Sequence, residues 1–302
     1  FSSSPIAEWK DQVDRYLDAM IKELKATAKL MQGKTLDTVY IGGGTPTTLE
    51  ADQLDRLLGT IRENFDLEHV LEFTVEAGRP DSITREKLEV IRKYPVTRIS
   101  VNPQTMQQKT LDLVGRKHTV EDVEQIFNLA RELGFDNINM DLIAGLPGED
   151  AADMQDTLEK IEKLHPDSLT VHALAIKRAA KFGQEGRTMD PGTEITQMVE
   201  AAAASAERMG LVPYYLYRQK NIAGNFENVG YAEQDKAGVY NILIMEEKQA
   251  ILACGAGAST KRVWNLPDGY HIERCENVKD IKQYIARIDE MIERKKALFE
   301  KD

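Results

Sequence analysis

Hydrophobic and polar positions follow two different periods along the first two-thirds of the chain. Short apolar runs, typical of buried strands, are each followed by a longer amphipathic stretch typical of a helix. In the first such stretch, Val13, Leu17 and Leu24 share one stripe of the predicted helix. We predict strands at residues 36–41, 70–75, 96–101, 137–143 and 168–174. We predict helices at residues 6–31, 54–61, 84–93, 120–133 and 151–164. Thr47 with Glu50 and Thr119 with Gly134 are the predicted helix caps.

This repeated strand–helix order indicates an α/β fold with a parallel sheet and helices outside it. A parallel sheet needs cover on both faces or closure into a barrel. We therefore predict a partial (βα)6 TIM-like barrel over residues 1–185, with its first strand upstream of Phe1. Residues 186–302 are predicted as a smaller appended α+β domain, with a polar linker or mobile loop at 179–193. Its predicted elements are helices at 195–209 and 278–299 and strands at 212–217, 242–245 and 250–254.

Composition narrows the class of protein. The chain has 302 residues, of which 42% are hydrophobic and 29% charged, as in ordinary globular proteins. Its net charge of −11 argues against a nucleic-acid partner. No apolar run approaches the ~20 residues of a membrane-spanning helix. The two cysteines, Cys254 and Cys275, lack metal-ligand spacing and fit a reducing compartment, so we expect a cytoplasmic protein. We also expect a monomer.

Polar and glycine residues follow the predicted strands, whose carboxyl ends should meet at one edge of the sheet. They are Gly43, Gly44 and Thr45 after the first strand, Glu76 after the second, Gln104 after the third and Asp141 near the end of the fourth. Glycines let a ligand approach the backbone amides and carbonyls. Carboxylates accept hydrogen bonds from a ribose diol or an ammonium group. Each residue alone fits a tight turn or a solvated loop; together they predict a site for a zwitterionic, ribose-bearing ligand.

Arg116 adds a guanidinium that is able to pair bidentately with a carboxylate, although alone it would fit an ordinary surface position. No nucleophile or general acid–base pair accompanies these residues. The sequence has no Gly-x-Ser-x-Gly elbow, no Walker loop and no histidine pair at helical spacing. We therefore assign no catalytic residue and no metal ligand within the chain. The pattern favours holding a ligand such as S-adenosylmethionine over direct attack on a bond.

Five segments carry a resemblance to a known family. They are YIGGGTPT at 40–47, TVEAGRPD at 74–81, RISVNPQ at 98–104, INMDLIAGLPG at 138–148 and VPYYLYRQKNIAGNFENVGY at 212–231. Together they resemble the oxygen-independent coproporphyrinogen III oxidases of the radical-SAM superfamily, and the last is similar to a signature of the HemZ-type branch. The resemblance covers nearly the whole chain.

The resemblance implies roles for the site residues. Gly43, Gly44 and Thr45 would hold the methionyl end of S-adenosylmethionine. The residues that would complete the binding of this cofactor, including a second copy of it, are Glu76, Gln104, Arg116, Asp141 and Ala175.

The family also binds a 4Fe-4S cluster through three cysteines spaced Cys-x3-Cys-x2-Cys, and an aromatic residue follows two positions after the third. Phe1 resembles that aromatic residue, so the three cysteines are expected upstream of it. Cys254 and Cys275 are too far apart in the sequence to replace them. Without those cysteines, the chain alone is expected to be inactive.

In the family, the reduced cluster cleaves S-adenosylmethionine and the resulting radical removes hydrogen from a propionate of coproporphyrinogen III. Carbon dioxide leaves and a vinyl group remains, a step of haem biosynthesis that uses an external electron donor and acceptor. The substrate carboxylates would need cations, and the candidates, which also fit ordinary surface positions, are Lys177, Arg178, Arg218 and Lys220. The alternatives are a haem-binding chaperone-like relative, another radical-SAM enzyme that modifies a tetrapyrrole, and a protein that binds S-adenosylmethionine without a cluster.

Overall fold

The computed structural model describes residues 12–174, 191–218, 227–267 and 269–301. Its strands, numbered in chain order, are β1 Thr38–Ile41, β2 Glu72–Gly78, β3 Arg98–Val101, β4 Ile138–Ala144, β5 Ser168–Ala173, β6 Val212–Arg218, β7 Glu227–Ala232, β8 Ser259–Leu266 and β9 Gly269–Glu276. Its α-helices are α1 Val13–Leu30, α2 Ala51–Asn64, α3 Arg85–Arg92, α4 Gln108–Leu113, α5 Val120–Glu132, α6 Ala151–Leu164, α7 Pro191–Arg208, α8 Val239–Glu246, α9 Ile281–Ala286 and α10 Ile288–Phe299. Among these described helices, none has the length and apolar character needed to cross a membrane.

Seven strands form one sheet in the order β1-β2-β3-β4-β5-β7-β6. Neighbouring strands from β2 to β5 pair in parallel, whereas β7 pairs antiparallel with both β5 and β6. The strands β8 and β9 form a separate antiparallel pair. The five strands predicted for the first part of the chain, and the helices between them, are therefore confirmed with small shifts at their ends.

The chain divides into two compact units, which we describe separately. The sheet unit comprises Tyr40–Thr48 and Glu72–Ile242, and the helical unit comprises Phe1–Val39, Leu49–Leu71 and Leu243–Asp302. Strand β6 was expected in a second domain but pairs within the seven-stranded sheet. The predicted boundary between residues 185 and 186 lies outside the described residues and stays a prediction. The predicted linker at 179–193 also lies largely outside them, and its last three residues begin α7.

The core of the sheet unit forms where one face of the strands packs against helices. Apolar side chains at alternate strand positions are almost completely buried, and they are Val75, Ile99, Met140, Leu142, Leu169 and Val171. Helix α5 contacts β3, and α7 contacts β4, β5 and α6. The buried helix residues that complete this layer include Leu88, Phe127, Leu158 and Met198. Burial of each large apolar side chain contributes about 1.5–3 kcal/mol to folding.

Two of the predicted caps are confirmed and one is wrong. Thr119 caps α5 in a capping box, and Gly134 follows the end of that helix with φ of 84°. Thr47 caps no α-helix, because it is buried in a 3-10 turn, where its hydroxyl donates to a carbonyl of β2. Glu50 takes the N-cap position of α2 instead, and Gln53 accepts a hydrogen bond from its backbone amide at 3.0 Å.

The predictions for the last third of the chain are partly wrong. Residues 242–245, predicted as a strand, lie in helix α8. Within residues 250–254, also predicted as a strand, Ile251 makes an isolated bridge to Lys261. The predicted helix at 278–299 is two helices, because α9 ends and α10 begins at Arg287.

The helical unit has a polar contact at the centre of its core. Glu23 of α1 is fully buried, and both of its carboxylate oxygens accept hydrogen bonds. One oxygen accepts from the Tyr284 hydroxyl and, at 2.9 Å, from the Gly255 amide. The other accepts from Asn277 Nδ2 and Lys295 Nζ, each at 2.8 Å. A buried charge with this many partners fixes α1, α10 and the loop before β8 in one arrangement.

We predict that Lys295→Met destabilises the chain by about 3–5 kcal/mol, because removing one partner leaves the buried Glu23 charge uncompensated. The neighbouring Lys296 pairs with Glu293 on the surface, so Lys296→Met should leave the unfolding midpoint unchanged. Urea unfolding of both variants provides the measurement. Equal midpoints for the two variants would contradict the structural role of the buried pair.

Candidate functional site

One face of the seven-stranded sheet is polar, and we call it the inner face. In β2, the apolar residues alternate with Glu72, Thr74 and Glu76. Since side chains alternate between the two faces of a strand, these three polar residues share a face. The equivalent polar residues of the next strands are Arg98 and Ser100 in β3, Asn139 and Asp141 in β4, and Ser168, Thr170 and His172 in β5. Parallel strands that are buried on both faces are normally continuous apolar runs, so this alternation indicates a ligand-facing surface.

Contacts within and between strands show that several of these polar side chains meet. Asn139 Nδ2 donates to Asp141 at 2.7 Å, and the Thr170 hydroxyl donates to Asn139 Oδ1 at 3.2 Å. His172 Nε2 lies 3.9 Å from Asp141 Oδ2. The polar side chains of β4 and β5 thus form one connected network on the inner face.

The glycine loop follows β1 at the same edge of the sheet. Gly43 and Gly44 have φ of 78° and 80°, in the region that favours glycine. A methyl group built on either residue would meet no atom of the described residues within 4 Å, so these residues leave open space beside this backbone. Thr45, at the end of the loop, packs against Gly78 of β2. A methyl group built on Gly78 would lie only 3.1 Å from Thr45 Cγ2. The predicted methionyl-binding residues therefore present backbone to an accessible space.

Glu76 ties the glycine loop to β2. One of its carboxylate oxygens accepts a hydrogen bond from the Tyr40 hydroxyl, and the other accepts from the Gly43 amide at 3.2 Å. Burial raises the pKa of Glu76, and the nearby Asp141 charge raises it further, while the bond from Tyr40 opposes the rise. Glu76 and Asp141 are therefore close enough for the charge of Asp141 to change the pKa of Glu76. A cationic ligand group between them would therefore relieve their repulsion.

Tyr40 itself is held by a second tyrosine. Its ring stacks on Tyr240 of α8 with centroids 4.2 Å apart and planes inclined by 17°. Burial and the Glu76 charge raise the Tyr40 pKa, so the phenol remains a hydrogen-bond donor at physiological pH.

Gln104 and Asp141 are joined through the backbone. The Gln104 amide donates to the Asp141 carbonyl at 3.0 Å, and the Gln104 carbonyl accepts from Ile143 at 2.9 Å. Gln104 has a φ of 71°, which is uncommon for a residue other than glycine and marks a locally strained backbone. The strain persists because both backbone groups are bonded to β4, and it places Gln104 at the end of β3 beside Asp141.

Arg98 supplies the positive charge of the inner face. Its side chain is buried, and its Nη2 donates to Ser168 Oγ at 2.8 Å. Three buried polar atoms on this side of β3 have no partner among the described residues, and they are Arg98 Nε, Ser100 Oγ and Asn102 Oδ1. Buried polar groups normally have partners. A polar ligand or water at the inner face would satisfy these atoms.

Arg116 lies in a different polar cluster, within the connection between α4 and α5. Burial lowers its pKa, and so does the charge of Arg79, while Asp81 opposes the change. Arg79 holds Asp81 in a bidentate pair at 3.0 and 2.8 Å. Buried His118 has its Nδ1 3.7 Å from Asp81. This cluster follows β2, but none of its contacts among the described residues reaches Glu76 or Asp141.

The remaining predicted site residues lie outside the described part of the chain. They are Ala175, Lys177, Arg178 and Lys220, together with the side chain of Arg218 at the end of β6. Their proposed roles stay predictions.

The described residues differ in how well they fit the two groups that the resemblance implies. The open glycine backbone, the paired acids and the unsatisfied polar atoms fit a zwitterionic, ribose-bearing ligand. No group of three or more His, Cys, Asp or Glu side chains among the described residues would hold a metal ion. The chain has two cysteines, fewer than the three that the resemblance implies, so the described residues do not fit an iron–sulfur cluster.

Several residues of the site were missed by sequence analysis. They are Tyr40, Arg98, Asn139, His172 and Tyr240. Four of them belong to strands β1 and β3–β5, and the two-residue alternation of polar side chains along those strands was the available signal. Tyr240 had no such signal, because α8 follows all seven strands of the sheet in sequence.

Comparison with known proteins identifies relatives with the same fold. Residues 7–161 match the Radical SAM superfamily. The coproporphyrinogen III oxidase HemN from Escherichia coli, a radical SAM enzyme of known structure, is 25% identical with a TM-score of 0.71. The match covers 93% of this chain and 63% of that one. This likeness confirms the predicted partial barrel with a smaller carboxyl-terminal part.

Two curated proteins from Bacillus subtilis are similar in sequence. The oxygen-independent coproporphyrinogen-III oxidase-like protein HemZ is 46% identical over 87% of this chain and 54% of its own length. The heme chaperone HemW is 31% identical over 92% of this chain and 69% of its own length. The chain therefore spans about half the length of the HemZ-like relative.

The geometry around His118 predicts a pH-dependent stability. Burial lowers the pKa of this imidazole, so as the pH falls below about 6.5 the unfolded chain takes up a proton before the folded chain does. Stability should therefore fall as the pH decreases from about 6.5, and His118→Gln should flatten that decrease. Thermal unfolding between about pH 5 and 8 is the measurement, with His69→Gln as an exposed control. Identical slopes for the unmodified chain and His118→Gln would contradict this assignment.

Proposed function

Because this chain belongs to the radical SAM superfamily, we propose that its strand ends bind S-adenosylmethionine and that the protein acts on a tetrapyrrole. One observation supports the binding of S-adenosylmethionine. The open backbone of the glycine loop lies on the same polar face as the carboxylates of Glu76 and Asp141. Backbone amides suit the carboxylate of the methionyl group, and carboxylates suit its ammonium group and the ribose hydroxyls.

Each residue then has a defined task. Gly43 and Gly44 admit the methionyl end to the backbone, and Glu76 fixes the loop through the Gly43 amide. Asp141 is oriented by Asn139 and has its second oxygen near His172, so it is ready to accept from a ribose hydroxyl. Gln104 would add a donor and an acceptor beside it. When bound, S-adenosylmethionine supplies the hydrogen-abstracting chemistry of the superfamily.

We expect Asp141→Ala to weaken S-adenosylmethionine binding by about tenfold or more, since a hydrogen bond to a charged group contributes about 1.5–3 kcal/mol. Asp136 precedes the same strand at its opposite end and is exposed, so Asp136→Ala is the matched control. Isothermal titration calorimetry measures both. An unchanged affinity in Asp141→Ala would remove this residue from the binding site.

The tetrapyrrole half of the proposal rests on the relatives. HemZ and HemN carry names that refer to coproporphyrinogen III oxidase, and HemW carries one that refers to heme. We propose oxidative decarboxylation, in which each reacting propionate loses carbon dioxide, one hydrogen atom and one electron and becomes a vinyl group. The electron passes to an external acceptor. The chain has two cysteines, not three, so we propose that by itself it binds S-adenosylmethionine without cleaving it.

A second candidate function is haem binding of the chaperone type, which the similarity to HemW over 92% of the chain favours. The two functions predict different products. A decarboxylase converts coproporphyrinogen III and releases carbon dioxide, whereas a chaperone binds haem and leaves the porphyrinogen unchanged.

The activity test uses the full-length protein after anaerobic reconstitution of its iron–sulfur cluster. With S-adenosylmethionine, a reductant and coproporphyrinogen III, we expect 5′-deoxyadenosine and a vinyl-bearing product, which chromatography and mass spectrometry detect. Saturable spectral binding of haem without any vinyl product would overturn the decarboxylase proposal in favour of the chaperone.

A further inference from the structure

The segment Gly238–Asn241 attaches to strands at both ends of the sheet. We call it the strap. The strap lies within the sheet unit, although it follows every strand of the large sheet in sequence. Strands β1 and β2 stand at one end of the strand order and β6 at the other, and the strap contacts all three.

Each residue of the strap makes a different attachment. The Val239 amide donates to the buried Glu72 carboxylate at the start of β2. Asn241 Nδ2 donates to the Tyr214 hydroxyl of β6 at 3.2 Å.

Gly238 permits this close approach to the inner face. A methyl group at this position would lie 2.9 Å from the Tyr214 hydroxyl and 3.3 Å from Arg98 Nη1. The strap therefore crosses the polar inner face near the amino ends of the strands.

Tyr240 is the strap residue that points toward the glycine loop. Its ring stacks on Tyr40, the Tyr40 hydroxyl donates to Glu76, and the second Glu76 oxygen accepts from the Gly43 amide. These three contacts form an unbroken series from α8 to the loop. Among the described residues, Tyr240 makes no hydrogen bond to Glu76 or Gly43, and its stacked contact with Tyr40 links it to both. Burial raises the pKa of Tyr240, and the nearby Glu76 charge raises it further.

We propose that Tyr240 is a positioning residue for ligand binding, which orients Tyr40 and through it holds Glu76 and the Gly43 amide in place. This inference rests on the proposed binding of S-adenosylmethionine at the strand ends. It adds a residue from outside the sheet to that site. The stacked ring preorganises the site in the absence of ligand. It limits the rotamers available to Tyr40 and so keeps the Glu76 carboxylate in one orientation.

The expected effect is modest and measurable. A stacked aromatic pair contributes an interaction that corresponds to about a 2- to 12-fold change in an equilibrium constant. Tyr240→Leu should therefore weaken S-adenosylmethionine binding to the 302-residue chain by about that factor. Tyr240→Phe keeps the ring and should bind like the unmodified chain. Tyr270→Leu makes the same replacement at an exposed tyrosine of β9 and is the matched control.

A double-mutant cycle separates positioning from a general loss of structure. If Tyr240 acts through Glu76, then Tyr240→Leu should have no further effect on affinity in a Glu76→Ala background. Calorimetric titration with S-adenosylmethionine gives all four affinities, and circular dichroism checks that each variant is folded. If Tyr240→Leu fails to fold, Tyr240→Met retains most of the volume without the ring and takes its place.

The outcomes are distinguishable. If the unmodified chain does not bind S-adenosylmethionine, the proposed function fails. If it binds and Tyr240→Leu binds equally well, or if the loss persists unchanged in the Glu76→Ala background, the positioning role is overturned while the proposed function stands. A loss in Tyr240→Phe equal to that in Tyr240→Leu would also overturn it, because the ring is then not what matters.

Discussion

Arg98 is a charged guanidinium buried on the inner face of the sheet, and such a group is tolerated only where polar partners and opposite charge surround it. Ser168 accepts one of its hydrogen bonds. Burial raises the pKa of Tyr40, Glu76 and Tyr215, and in each case the positive charge of Arg98 opposes the rise. The positive charge of Arg98 therefore acts, as a minor contribution, on groups from three strands. Arg98 thus lies where the polar side chains of several strands face one another.

A polar inner face has two consequences for the rest of the sheet. The opposite face must supply the hydrophobic core, which explains why β2 to β5 alternate between buried apolar and polar residues. The inner face must also be covered without placing apolar groups on it. The strap does this near Arg98 with a glycine, a backbone amide bonded to Glu72 and an amide side chain bonded to Tyr214. At the carboxyl ends of the strands, the space beside Gly43 and Gly44 is left open.

The features that could be predicted from the sequence are those that depend on local patterns of residues. The strands of the parallel run, the cap at Thr119 and the glycine loop could be recognised from periodicity and residue type. The helix at 239–246 could not, because its apolar run matches a strand equally well and it begins where Val239 meets Glu72, which is distant in sequence. Thr47 has the residue type of a cap, but its hydroxyl bonds to the Ala77 carbonyl of a neighbouring strand. In both cases a long-range contact overrides the local preference. The candidate site followed the same division. Glu76 and Asp141 were predicted at strand ends from residue type, although the structure places both within their strands, β2 and β4. Tyr240 had no such local pattern, because its place depends on the strap.

The central claim is that the carboxyl ends of the parallel strands bind S-adenosylmethionine on the polar inner face. A crystal structure of this chain grown with S-adenosylhomocysteine, which lacks the transferable methyl group, tests it most directly. The account predicts ligand density beside the Gly43 and Gly44 backbone, with ribose or amino groups within hydrogen-bond distance of Glu76 or Asp141. Density for the ligand at any other place, with the inner face occupied only by water, would contradict it.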